Sequence, residues 1–203
     1  MPKPLFITGI GTGIGKTMIS AILVEKLKAD YWKPIQSGDL DDSDTLKVKS
    51  LITNTKSFFH PEAYRLTQPY SPHKSAAIDN ITIEPGKIIL PETDNQLIIE
   101  GAGGLMVPLA ADFLIIDMIK QLNAEVVLVS QYYLGAINHT LLSALALKQY
   151  HIPVKGIIFN GDEDNYAKEY ILAYSKLKQL GHIPPLNKID KKAIIDAGDH
   201  IEL

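Results

Sequence analysis

The chain has 203 residues, 46% hydrophobic and 21% charged, which fits one folded domain with a substantial core and excludes a disordered tail, a coiled coil or a collagen-like chain. Twenty lysines and arginines against 23 acids leave a net charge of −3, so there is no general electrostatic pull toward nucleic acid or acidic lipid, and any polyanion must be held locally. With no cysteine, disulfides, thiolate zinc sites and a cysteine nucleophile are excluded.

In chain order, Leu5 to Thr8 reads as the first strand, and Lys16 to Lys28 as a helix with Ile19, Ile22, Leu23 and Leu27 on one stripe. Tyr31 to Ile35 is the second apolar run. The stretch from Gly38 to Asn95, broken by Pro61, Pro69, Pro72, Pro85 and Pro91, predicts two or three short helices and loops on one side of the sheet. Gln96 to Ile99 is a third strand, followed by a helix over Phe113 to Leu122 that aligns Ile115, Ile116 and Ile119. Glu125 to Val129 and Val154 to Phe159 are further strands on either side of a helix over Asn138 to Tyr150, which carries Leu141, Leu142, Leu145 and Ala146. The turn Gly181-His182-Ile183-Pro184-Pro185-Leu186 is expected to end the last strong helix, with a short terminal piece after it. Strands too short and too continuously apolar for a one-sided sheet, alternating with helices, predict a single α/β domain over 1–203: a mostly parallel sheet flanked by helices. No run approaches the ~18 apolar residues of a membrane span, and the start lacks the zones of a signal peptide, so a cytoplasmic protein without membrane or nucleic-acid partners is expected.

The strongest chemical signal is Thr8-Gly9-Ile10-Gly11-Thr12-Gly13-Ile14-Gly15-Lys16-Thr17, a glycine-rich loop between an apolar strand and an amphipathic helix. Glycines let backbone amides wrap an anion, the helix N-terminus adds its dipole, Lys16 reaches the outer phosphates and the Thr17 hydroxyl can ligate Mg²⁺. This motif marks the expected fold as P-loop NTPase-like, although Gly9 and Gly15 enclose five residues, one more than the common form. A dinucleotide loop is not matched, since neither Gly9-Ile-Gly11 nor Gly11-Thr-Gly13 continues to the required third glycine. Only Arg65 is arginine, so lysine, backbone amides and metal must hold the phosphates.

Two further segments converge on that loop if active sites of parallel sheets lie beyond the carboxyl ends of their strands. Leu97-Ile98-Ile99-Glu100 ends a buried strand in an acid suited to Mg²⁺ and is followed by the small residues Gly101, Ala102, Gly103 and Gly104. Tyr31-Trp32-Lys33-Pro34-Ile35-Gln36-Ser37-Gly38 puts Lys33 in an otherwise apolar strand, with a hydroxyl four residues on. Of Asp41, Asp42 and Asp44, at least one is a helix-capping acid, and a second metal carboxylate remains open among them.

Together with Ser71-Pro72-His73 and Gly135-Ala136-Ile137-Asn138-His139, these motifs resemble those of the dethiobiotin synthetase family along nearly the whole chain. The resemblance implies an ATP- and Mg²⁺-dependent ligase that converts 7,8-diaminopelargonic acid and CO₂ to dethiobiotin, through a carbamate and a carbamic-phosphoric anhydride. It implies Lys33 and Lys16 as catalytic lysines, and Thr17, Asp44 and Glu100 as magnesium ligands. Gly13, Ile14, Gly15, Lys16, Thr17 and Met18 would hold the phosphates, and Gly101, Ala102 and Gly103 would give backbone contacts. Asn160 and Gly161 would meet adenine, with Pro184, Pro185 and Leu186 flanking the base. Thr12 and Ser37 would bind the carbamate or amine end of the substrate. Its carboxylate would sit at Gly135, Ala136, Ile137 and Asn138 of the partner in a homodimer. Leu105 to Pro108 are open between the substrate's aliphatic chain and the core, and His73 and His139 are expected to be structural. A partitioning-type ATPase is the nearest rival, but it carries a second lysine where Gly11 stands.

Overall fold

The computed structural model describes residues 2–203. Eleven strands and seven α-helices follow one another: β1 (Leu5–Gly9), α1 (Lys16–Leu27), β2 (Asp30–Trp32), β3 (Ile35–Ser37), α2 (Asp44–Leu51), β4 (Phe59–His60), β5 (Tyr64–Leu66), α3 (Pro72–Ile78), β6 (Leu97–Gly104), β7 (Pro108–Ala110), β8 (Phe113–Leu114), α4 (Ile115–Gln121), β9 (Glu125–Gln131), α5 (Ala136–Gln149), β10 (Val154–Asn160), α6 (Asn165–Ser175), β11 (Gln179–Ile183) and α7 (Lys191–Gly198).

Seven strands form one sheet in the order β11-β10-β9-β1-β6-β2-β4, and every neighbouring pair is parallel. The other strands form two small pairs, β3 with β5 and β7 with β8. Helices cover both faces, so the central strands are buried on both sides: all of Leu5, Phe6, Ile7, Thr8 and Gly9 are out of solvent. Alternate residues enter two cores. Phe6, Ile99, Val126 and Leu128 pack with α4 and with Leu147 and Ile171, while Ile7, Ile98, Val127 and Val129 pack with α1, Val48 and Ile194. Each fully buried side chain of this kind contributes about 1.5–3 kcal/mol.

The structure departs from the sequence reading at several places, among them Phe113–Leu114, which form β8 rather than the first turn of α4. Tyr31 to Ile35 is not one strand, because Pro34 lacks the amide that would continue the ladder; β2 ends at Trp32 and β3 pairs instead with β5. The strand expected to end at Glu100 continues through the small residues as β6 to Gly104. Phe59–His60, inside the proline-broken stretch, joins the sheet as an edge strand. The turn at Gly181 does not end a helix. The last helix before it stops at Lys176, in a left-handed conformation, and Gln179–Ile183 is the other edge strand. On α5 the expected apolar stripe is not core, since Leu142 and Leu145 are exposed while Thr140 and Leu147 pack inward. On α1, by contrast, burial is wider than one stripe, because α2 and α7 flank it and cover Ala21 and Val24 as well.

Candidate active site

The site forms where β1, β2 and β6 end side by side in the middle of the sheet. Gly15 begins α1 at φ +92°, a left-handed conformation in which any Cβ would also overlap the Asn160 side-chain amide. No side chain caps this helix, so its first-turn amides remain available to an anion. The Lys16 ammonium curls back over the loop and donates to the Gly11 carbonyl at 2.7 Å. Burial, and after it the charge of Lys33, brings the Lys16 pKa down to about 8, and a bound anion would relieve that cost.

Glu100 is buried at the centre of a cluster in which three side chains donate to its carboxylate. Its Oε1 accepts from the Thr17 hydroxyl at 2.8 Å and from Lys33 Nζ at 3.1 Å; its Oε2 accepts from the Tyr31 hydroxyl at 2.9 Å. Lys33 Nζ also donates to the Gly101 carbonyl at 3.1 Å and pairs with Asp44 Oδ2 at 2.6 Å. Burial pushes Lys33 down, but Glu100 and Asp44 more than offset it, so the ammonium is held above its usual range. Burial likewise pushes Asp44 up, yet the Lys33 charge and hydrogen bond, with help from Thr17, hold it below the ordinary carboxylate range.

Asp44, not Asp42, reaches the site. Ser43 caps α2 by accepting from the Leu46 amide at 3.3 Å, which leaves Asp44 as the first helical residue with its carboxylate turned inward. Asp42 is exposed and pairs with Lys47 at 3.3 Å. Gln36 ties the loop together, donating from Nε2 to the Gly38 carbonyl at 2.9 Å and accepting the Asp44 amide at 3.3 Å.

A cavity of about 860 Å³ opens over this cluster; Thr12, Gly13, Gly15, Lys16, Thr17, Met18, Lys33, Ser37, Asp44, Glu100, Gly101, Ala102 and Gly103 all line it. The Ser37 hydroxyl is buried without a hydrogen-bond partner. Ile14 does not line this cavity; its side chain packs under Gly9. A second, apolar groove of about 1190 Å³ runs between Leu105, Met106 and Val107 and the outer face of α5, and Thr12 and Val107 line both spaces. Asn160 and Gly161 line neither space, although Asn160 sits against the loop at Gly15. Asn160 Nδ2 donates to the Ile14 carbonyl at 2.9 Å, leaving Oδ1 as an acceptor, and β11 carries Pro184, Pro185 and Leu186 away from beside it. Gly135, Ala136, Ile137 and Asn138 start α5 and line neither space, and the next residue, His139, pairs with the Tyr133 hydroxyl at 2.7 Å.

Sequence reasoning passed over Tyr31, Gln36, Tyr70 and Ile189. Tyr31 and Gln36 lie in the quoted lysine motif but look like ordinary strand residues. Tyr70 and Ile189 reach the cavity from distant loops and leave no local signal.

Among the described residues no cluster of three His, Cys, Asp or Glu could hold a metal alone. The all-oxygen set of Thr17, Asp44 and Glu100 does fit Mg²⁺, which typically takes one or two carboxylates and completes its shell with phosphate oxygens and water. No helix among the described residues is long and apolar enough to cross a membrane.

A family model described as an AAA domain matches residues 3–193. The septum site-determining protein MinD of Pyrococcus horikoshii, solved with Mg-ADP, superposes with a TM-score of 0.62 at 14% identity, covering 98% of this chain and 95% of that one. A ParA family ATPase of Chlorobium tepidum superposes with a TM-score of 0.58 at 15% identity, over 98% and 100%. These two share the fold alone. An ATP-dependent dethiobiotin synthetase BioD of Cytophaga hutchinsonii is 48% identical over 95% of this chain and 93% of its own length. A protein of the same name from Christiangramia forsetii is 54% identical over 90% of this chain and 88% of its own. Identity at that level over nearly full length cannot be reached by a shared fold only, and the chain belongs to the ATP-dependent dethiobiotin synthetase family.

Proposed function

We propose that this protein joins 7,8-diaminopelargonic acid and CO₂ at the expense of MgATP, giving dethiobiotin, ADP and phosphate. Membership of its family makes it an ATP-dependent ligase of biotin biosynthesis that forms C–N bonds. One observation carries the finer reading: Lys33 lies buried between Asp44 and Glu100, beside the phosphate loop and at the wall of a cavity that also takes in Thr12 and Ser37.

In the proposed reaction one substrate amine adds to CO₂ and loses a proton, leaving a carbamate anion. A carbamate oxygen attacks the γ-phosphorus of ATP, the bond to the β-phosphate oxygen breaks, and ADP leaves. The second amine then attacks the carbonyl carbon of the mixed anhydride, and inorganic phosphate departs with the bonding pair as the amine gives up its proton. An anionic carbamate must meet an anionic triphosphate, so the obstacle is charge. Lys16 binds the outer phosphates, and Lys33 faces the carbamate oxygen and the transferring phosphoryl group. Thr17, Asp44 and Glu100 would hold Mg²⁺, which when bound would supply further positive charge at the phosphates. Thr12 and the unpartnered Ser37 hydroxyl suit the polar end of the substrate.

The homodimer belongs to the same proposal. The apolar groove, with exposed Met106, Leu142 and Leu145, suits coverage by a second copy, and Thr12 links it to the phosphate cavity. Gly135 to Asn138 of that copy then offer helix-terminal amides to the substrate carboxylate.

The deciding experiment is a mass-spectrometric product assay with diamine, bicarbonate and MgATP, run beside a reaction without diamine. Dethiobiotin with matching phosphate release is expected. Phosphate release indifferent to the diamine would instead favour a nucleotide switch of the partitioning type. For the base, the free Oδ1 of Asn160 can accept from the exocyclic amine of adenine. Asn160→Ala is therefore expected to narrow the preference for ATP over GTP in competition assays, and an unchanged preference would remove Asn160 from base recognition.

A further inference from the structure

Tyr31 lines neither cavity, yet its hydroxyl donates to the central carboxylate of the site. Its ring is completely buried in the core under α1, fixed in β2 between β6 and β4, with the Phe59 ring 5.7 Å away. Nothing in that apolar core calls for a phenol. Phenylalanine would fill the same volume, and a hydroxyl buried there is costly unless it finds a partner. The partner it has is Oε2 of Glu100, the one oxygen that neither Thr17 nor Lys33 touches.

The consequence is directional. A carboxylate held through one oxygen can rotate about its last torsion, which is broad and soft. Donors on both oxygens fix the plane, so Oε1 stays aimed at the Thr17 hydroxyl and Lys33. We propose that Tyr31 is a positioning residue, which from behind the site holds Glu100 in the orientation that serves both Mg²⁺ and Lys33. This rests on the function proposed above. Outer partners of this kind typically change metal affinity 10–100-fold when removed.

The test is Tyr31→Phe in the full chain, which deletes one oxygen and keeps the ring. Binding of Mn²⁺ to the protein–ADP complex, followed by electron paramagnetic resonance, is expected to weaken 10–100-fold. Metal-free ADP affinity should stay within about twofold, and the metal concentration for half-maximal dethiobiotin formation should rise in parallel. Phe59→Leu, which disturbs the same packing without touching a hydroxyl, should leave Mn²⁺ affinity unchanged. Equal weakening in both variants would mean that packing alone is at work and would overturn the proposal; so would a Tyr31→Phe protein within twofold of the parent. If Tyr31→Phe does not fold, 3-fluorotyrosine incorporated in place of Tyr31 gives a ¹⁹F signal that should shift when Mg²⁺ joins the ADP complex, and an unmoved signal overturns the proposal. Because Mn²⁺ and ADP binding need no diamine, a parent protein that binds both but forms no dethiobiotin would refute the proposed reaction separately from the role of Tyr31.

Discussion

Lys33→Ala is expected to lower dethiobiotin formation about 10³-fold or more while leaving nucleotide affinity within a few-fold of the parent. In the proposed reaction the lysine is used most in the transition state, where charge builds on the carbamate oxygen and the transferring phosphoryl group. Removing one such preorganised donor typically costs about 10²–10³ in rate, and a cationic group on a phosphoryl transition state is worth about 10³–10⁵. In the same proposal the ground-state phosphates depend instead on the loop amides and Lys16. The substitution also leaves Asp44 facing a buried Glu100 without the cation between them, and breaking a buried pair from one side typically costs about 3–5 kcal/mol. A lower melting temperature should therefore accompany the loss of rate, so turnover is measured on the folded fraction, with ADP titration as the check on the loop. Near-normal turnover would take Lys33 out of the chemistry.

Lys16→Ala should act differently, weakening ATP binding about 100-fold or more along with the rate. Truncating one partner of a desolvated charge pair costs about 2–5 kcal/mol, roughly 30-fold to several thousandfold in affinity. Here the remaining partner would be a triphosphate deprived of its principal side-chain cation. Calorimetric titration with ADP and with a non-hydrolysable ATP analogue separates the two lysines: affinity should fall for Lys16→Ala and hold for Lys33→Ala. Equal affinity in both variants would contradict the assignment of Lys16 to the phosphates.

The site was legible in the sequence wherever its chemistry is written in consecutive residues. The phosphate loop is local, since its glycines, its lysine and the helix that follows are contiguous, and Gly9 to Thr17 therefore declare themselves. Glu100 and Lys33 were legible because a charge within a continuously apolar run is too costly to bury without a partner or a ligand, although Lys33 proves to lie just past the end of β2. Tyr31 was not, because a tyrosine in a strand is ordinary until its hydroxyl is seen to meet Glu100 across a separation of 69 residues. The choice of Asp44 over Asp42 depended on which residue caps α2, and that is a matter of backbone geometry.

The same division runs through the fold. Continuous apolar runs separated by helices determined that the sheet would be parallel and covered on both faces, because such strands have no solvent side. Tertiary structure alone decided the fate of short or interrupted segments. Phe59–His60 and Gln179–Ile183 are strands because an existing sheet edge offers them hydrogen bonds, a partner that local propensity does not encode. The outer leucines of α5 carry the same helical spacing as a core stripe. Spacing places side chains on one face of a helix, but only the packing of neighbouring elements determines whether that face meets the sheet or, as with Leu142 and Leu145, faces away from it.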